Sequence, residues 1–253
     1  MKLLSDIVLL FKRPFLQDFR DPTWLLVSGS TPLLYLVLFM PLLKHLGPGI
    51  GAESNNVIQV FLPGIIGLLA FGTGNFAGFD TIFLLRNGFI ERIRVTPASR
   101  FAILIGPIIA SICWSLIFAS VIVAICVPFG FHIYLGGLLI YYILLMLLIV
   151  LFASLSTTIA LLTKQISTFA AIVNGVNLPL ILLAGVMLPL SLAPSWMRFV
   201  AHFNPLYYVV NAGRDLTVGK ISTHQVMMAF TVVPFLAIVS LWWSSRILRK
   251  AVS

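Results

Sequence analysis

Charge is what this sequence has least of: Asp, Glu, Lys and Arg together make up 9% of its 253 residues. A soluble domain carries about 25%, so this chain cannot build a water-facing surface. Cysteine is equally scarce. Cys113 and Cys126 are the two present, and the intervening helix would hold them about 20 Å apart at 1.5 Å per residue. A disulfide scaffold is excluded. Catalytic signatures are missing too: no serine stands in GxSxG, no CxxC occurs, and the histidines form neither HxxxH nor HExxH. A metal site and a membrane-embedded enzyme both lack the groups they need.

Apolar length is what the sequence has in plenty. Hydrophobic residues make up 60% of the chain, and each bilayer crossing uses about 20 of them. The expected fold is all-α and integral to the membrane, one transmembrane domain over 1–253. Six spans fall near 23–43, 57–79, 97–129, 133–162, 167–188 and 225–245. Residues 1–22 form an interfacial amphipathic helix. Lys2, Asp6, Arg13, Gln17 and Arg20 share one side and Leu3, Leu4, Ile7, Phe11 and Phe15 the other. A plain snorkelling tail is the alternative. Residues 80–99 make a charged cytoplasmic segment, and 189–224 an outer interlude holding two short amphipathic helices. Asp21-Pro22 and Thr96-Pro97 each look like an N-cap followed by a first-turn proline. Lys164 marks a tight return between spans four and five.

Six spans place both termini on one side. That side holds Lys2, Lys12, Arg13, Arg20, Arg86, Arg92, Arg94, Arg100, Lys164, Arg246, Arg249 and Lys250; the other holds Lys44, Arg198, Arg214 and Lys220. The excess of cations makes the terminal side cytoplasmic. No basic run carries interleaved aromatics, so the anionic partner is the lipid bilayer and not nucleic acid. The stretch from Gly213 to Ile221 imitates a phosphate loop. It has one residue too many between its glycines, and Ile221 replaces the magnesium-binding hydroxyl. The chain therefore binds no ATP itself and carries no cofactor.

Polar and small residues inside the spans are the remaining signals. Ala70, Gly74 and Gly78 recur every four residues and let another helix approach closely, within the bundle or across a dimer seam. Asn75 and Thr73 stand beside them; Ser167, Asn174 and Asn177 share a face of span five. Amides are costly in lipid, so these groups, with Tyr35, either line a substrate pathway or bond between helices. Ser154, Thr157 and Thr158 are expected to bond their own helix carbonyls. Asp80 and Asp215 are the acids near span or helix ends. Between spans two and three, 84–95 alternates apolar and charged residues as a surface helix offering contacts to a soluble partner would.

Two blocks carry a family resemblance. The run Arg86-Asn-Gly-Phe-Ile-Glu-Arg-Ile-Arg-Val-Thr-Pro-Ala-Ser-Arg100 resembles the cytoplasmic coupling segment of type-2 ABC exporter permeases. It departs at Arg86-Asn87, where many relatives carry an acidic-basic pair. The outer block Phe203-Asn-Pro-Leu-Tyr-Tyr-Val-Val-Asn-Ala-Gly-Arg-Asp215 is similar to that family's signature of an Asn-Pro helix start ending near an arginine. The resemblance implies a non-enzymatic permease subunit in a bacterial cytoplasmic membrane. It would pair with a second copy or a paralogue and sit on two copies of an ABC ATPase subunit, which hold the ATP and magnesium. It assigns coupling to Arg86, Asn87, Gly88, Glu91, Arg92, Arg94, Thr96 and Pro97, and the outer gate to Asn204, Pro205 and Arg214. The implied activity is multidrug efflux: export of drugs or amphipathic small molecules. Export of lipid-linked polysaccharide or teichoic acid is the alternative within the fold, and a passive channel or immunity protein the alternative outside it.

Overall fold

The computed structural model describes residues 57–86, 100–186, 190 and 193–252, with Val8, Phe11, Lys12, Phe15, Leu16, Phe19, Arg20, Ser30 and 32–38 nearer the start. The elements after residue 56 are α1 (Val57–Arg86), α2 (Arg100–Cys126), α3 (Leu135–Thr163), α4 (Ile166–Leu183), α5 (Ser195–Ala201), α6 (Pro205–Thr217) and α7 (His224–Val252). Among the described residues five helices are long and apolar enough to cross a bilayer: Ile58–Arg86, Ile105–Phe129, Leu135–Thr163, Ile166–Leu183 and His224–Arg249. The protein is therefore an all-α, multi-pass membrane protein. The expected span at 23–43 falls mostly outside the described residues; Ser30 and 32–38 within it are helical.

Three boundaries differ from the sequence expectation, each for a local reason. α1 does not stop at Phe79 but runs unbroken through Asp80 to Arg86. Ile82 stays fully buried beyond the acid while Asp80 itself lies on the exposed side, so one carboxylate does not end the helix. α4 ends at Leu183 instead of 188, because Gly185 adopts a left-handed φ of 67° and its N–H turns back to the Leu182 carbonyl. α7 continues past 245 to Val252. The return at Lys164 is as expected. Its φ is 55° and its N–H caps the Ala160 carbonyl at 2.9 Å.

α3 is the central helix. Tyr141, Leu144, Leu145, Leu148 and Ile149 have no exposed surface. Its closest neighbour is α1, brought in by the small-residue stripe. A side chain at Gly74 would meet the Phe152 Cβ at 2.8 Å and the Ala153 nitrogen at 3.2 Å; one at Gly78 would collide with Phe169 and Ser156. The stripe thus packs inside the chain. Close approach, dispersion and hydrogen bonding hold such helices, since lipid supplies little hydrophobic drive between them. The Gly78 N–H donates to Ser156 Oγ at 3.0 Å, and that hydroxyl donates to the Asn75 carbonyl at 2.6 Å.

Of the span-four hydroxyls, Ser154 donates to the Leu151 carbonyl and Thr158 to that of Ser154, as expected. Ser154 also meets Ser240 of α7 at 2.6 Å. Thr157 differs, accepting from Thr81 Oγ1 of α1 at 3.4 Å.

Side-chain pairs fix the directions. Gly78 lies beside Ser156 and Leu161 clusters with Leu248, so α1, α3 and α7 run the same way; Asn75 meets Asn177, so α4 runs opposite. Arg86, Lys164, Arg246 and Arg249 consequently gather at one end, with the Arg246 guanidinium 3.8 Å from the centre of the Trp242 ring. Near the start of the chain, Phe11 and Phe15 stack at 5.2 Å, and Phe15 and Phe19 lie 5.1 and 6.2 Å from Trp114 of α2. The aromatic side of that amphipathic segment therefore meets protein.

Candidate transport site

The expected site residues fall into an outer collar, a group inside the bundle and a cytoplasmic end. The outer collar is the most ordered. Asn204 caps α6 as its sequence suggests: its Oδ1 accepts from the Leu206 N–H at 3.0 Å, with Pro205 at the first helical position. Its amide nitrogen donates to the Leu180 carbonyl of α4 at 2.7 Å. From there α6 climbs along α1. Leu206 and Val210 pack over Gly67, and Thr217 reaches Gln59. Eight residues of helix separate Gln59 from Gly67, about 12 Å. The outer interlude therefore folds back alongside the spans.

Arg214 ties three helices together at this collar. Its Nε donates to the Val60 carbonyl at 3.0 Å, one Nη to Asn211 Oδ1 at 3.3 Å, and the other to the Gly185 carbonyl at 2.6 Å. The Gly185 and Val186 carbonyls follow the C-terminal end of α4, the negative end of its dipole. Burial lowers the Arg214 pKa, and Tyr141 and Tyr207 oppose that shift. The guanidinium stays charged because arginine starts so high. No described carboxylate pairs with it, so backbone oxygens carry the compensation.

Sequence reasoning missed the residues that support Arg214. Pro63 lacks an N–H, so the Gln59 carbonyl has no helical donor; Thr217 Oγ1 approaches it at 3.4 Å. The Gln59 side chain donates to the His132 and Thr217 carbonyls at 2.9 and 3.2 Å. Tyr141 OH donates to the Pro63 carbonyl at 2.5 Å, and Gly213 packs against the Tyr141 ring. A glutamine just ahead of an intraspan proline was the available signal.

Within the bundle, two of the expected pathway residues meet. Asn75 Nδ2 donates to Asn177 Oδ1 at 2.9 Å. Thr73 turns inward to its own helix, donating to the Leu69 carbonyl at 2.8 Å. Tyr35 is half-buried against the main core. Ser167 and Asn174 are exposed on α4, as are Gly175, Val176 and Leu178. α4 thus presents a broad open face on which an amide stands among apolar side chains. At the cytoplasmic end, Arg86 closes α1 and is exposed. Asn87, Gly88, Glu91, Arg92, Arg94, Thr96 and Pro97 lie outside the described residues. Among the described residues no three His, Cys, Asp or Glu side chains gather as a metal site would require.

An all-α bundle of spans with polar groups at mid-depth and a hydrogen-bonded outer collar defines a membrane transport protein. Residues 5–218 match the ABC-2 type transporter family, and the chain belongs to it. It is 32% identical over 223 residues to the ycf38 transport permease of Cyanophora paradoxa, covering 84% of this chain and 74% of the relative. It is 26% identical to the chains of the same name from Porphyra purpurea and Pyropia yezoensis, over 215 and 216 residues. Each covers 74% of the relative and 84% or 85% of this chain. The protein is a transport permease subunit, not an enzyme, and family membership carries with it an ABC ATPase partner.

Proposed function

We propose that this chain forms half of the membrane pathway of an ATP-driven exporter. Two copies, or this chain and a paralogue, pair through the open face of α4 and ride on two ATPase subunits. The bilayer is a bacterial cytoplasmic membrane with both termini inside. ATP binding closes the ATPases, and 84–95 passes the movement into α1. Arg214 and Asn204 hold the outer collar whose opening releases cargo. The cargo class is drugs or other amphipathic small molecules.

One observation carries the pairing: Asn174 is exposed on a membrane span, one turn from the bonded Asn75–Asn177 pair. An amide facing lipid is costly, so this face is better covered by a second chain or by a wet cavity between two chains. Cysteine cross-linking tests it. With Cys113 and Cys126 replaced by alanine, Asn174→Cys should form a disulfide between copies in membranes, while Phe235→Cys on the exposed side of α7 should not. Equal cross-linking at both sites would mean random collision and would remove the reading.

A further inference from the structure

Asp80 has no role in the collar or in the Asn75–Asn177 pair. It is the sole acidic residue in the five membrane-length helices. It lies on the exposed side of α1, framed by Phe76 and Phe83, which are 63% and 56% exposed. Offsets of four and three residues put the two rings on the face of the carboxylate, one turn above and one below. Among the described residues it has no ion pair. Arg86, six residues on, points about 120° away around the helix and lies about 9 Å further along it.

A charge at such a position is expensive unless it meets an opposite charge. A second copy related by an axis along the membrane normal would add the same residues at the same depths. The cations of the spans are Arg86, Arg246 and Arg249, all at the helix ends, where long cationic side chains snorkel toward water and not inward. The countercharge at the depth of Asp80 is therefore free to come from cargo. Aromatic rings on both sides favour a cation that is bulky and poorly hydrated.

We propose that Asp80, with Phe76 and Phe83, is the recognition site for a lipophilic organic cation entering from the cytoplasmic half of the bilayer. This rests on the export reading and narrows its cargo class. Binding is measured on the purified permease in nanodiscs, with tetraphenylphosphonium as the probe and triphenylphosphine oxide as the neutral control. The unmodified chain should bind the cation, and Asp80→Asn should weaken binding about tenfold or more, a charge-assisted contact being lost. Asp80→Glu should stay within about threefold of the original, and Phe76→Leu with Phe83→Leu should weaken binding about threefold. The neutral probe should be indifferent to Asp80→Asn.

Equal cation binding by the unmodified chain and Asp80→Asn overturns the proposal, as does failure of the unmodified chain to bind. Should Asp80→Asn fail to assemble, the double phenylalanine variant and Asp80→Glu decide. Unchanged binding in the former, or complete loss in the latter, rejects the site. A chain that copurifies with its ATPase yet ignores tetraphenylphosphonium leaves the export reading intact and removes this one.

Discussion

The amide of Asn75 donates to the side-chain oxygen of Asn177 at 2.9 Å, joining helices that lie 102 residues apart in the chain. Each partner satisfies a group that would otherwise face hydrocarbon. Removing either leaves the other amide short of a bond. Asn75→Ala and Asn177→Ala should each lower stability by about 1 kcal/mol, and the double variant should show a coupling of about 0.6 kcal/mol. Unfolding in detergent, read as a double-mutant cycle, checks this. Asn174→Ala should leave stability unchanged, because its amide has no such partner among the described residues, and should alter the range of cargo exported.

The α1–α3 contact makes a sharper prediction. Gly78 faces Phe169 and Ser156 with no room for a side chain. Gly78→Leu should force the helices apart and cost about 3 kcal/mol or more, while Gly72→Leu, with open space around it, should be tolerated. Yield of monodisperse protein after extraction distinguishes the two.

At the collar, Arg214 bonds to Val60, Asn211 and Gly185 with three different nitrogens. A lysine keeps the charge but not the planar fork. Arg214→Ala should destabilise by roughly 3 kcal/mol and Arg214→Lys should recover less than half of that, since charged-group hydrogen bonds contribute about 1.5–3 kcal/mol. Thermal unfolding reports the order. Protease sensitivity of the α5–α6 hairpin should rise in step with the loss.

Much of this arrangement was legible in the residues. Asn204-Pro205 announces a capped helix start, Lys164 a return, and the Ala70-Gly74-Gly78 spacing a close helix contact. All three are local chemistry. The collar was not legible, because Gln59 and Thr217 are 158 residues apart and periodicity names a face without naming the helix opposite. Asp80 misled for another reason. A charge reads as the end of a span, yet the helix tolerates one carboxylate on its open side while Ile82 keeps the apolar stripe buried.

Orientation is checked by labelling. Single cysteines at Ser5, Ser99 and Ser253 should react with a membrane-impermeant thiol reagent only in opened cells. Cysteines at Ser54 and Ser195 should react from outside in intact cells or spheroplasts. Native Cys113 and Cys126 are replaced first. External labelling at Ser99 would invert the assignment of the cation-rich end to the cytoplasm.

The central claim is that ATP bound elsewhere drives this subunit, and one measurement tests it most directly. The chain is purified with its ATPase, reconstituted, and assayed for transport and hydrolysis together, alongside Glu91→Ala. The unmodified complex should export cargo only with ATP, and the isolated permease should bind none. Glu91→Ala should lose most export and most cargo-stimulated hydrolysis while keeping basal hydrolysis, since coupling is a free energy shared between two sites. ATP binding by the isolated permease, or ATP-independent transport by the complex, would contradict the account.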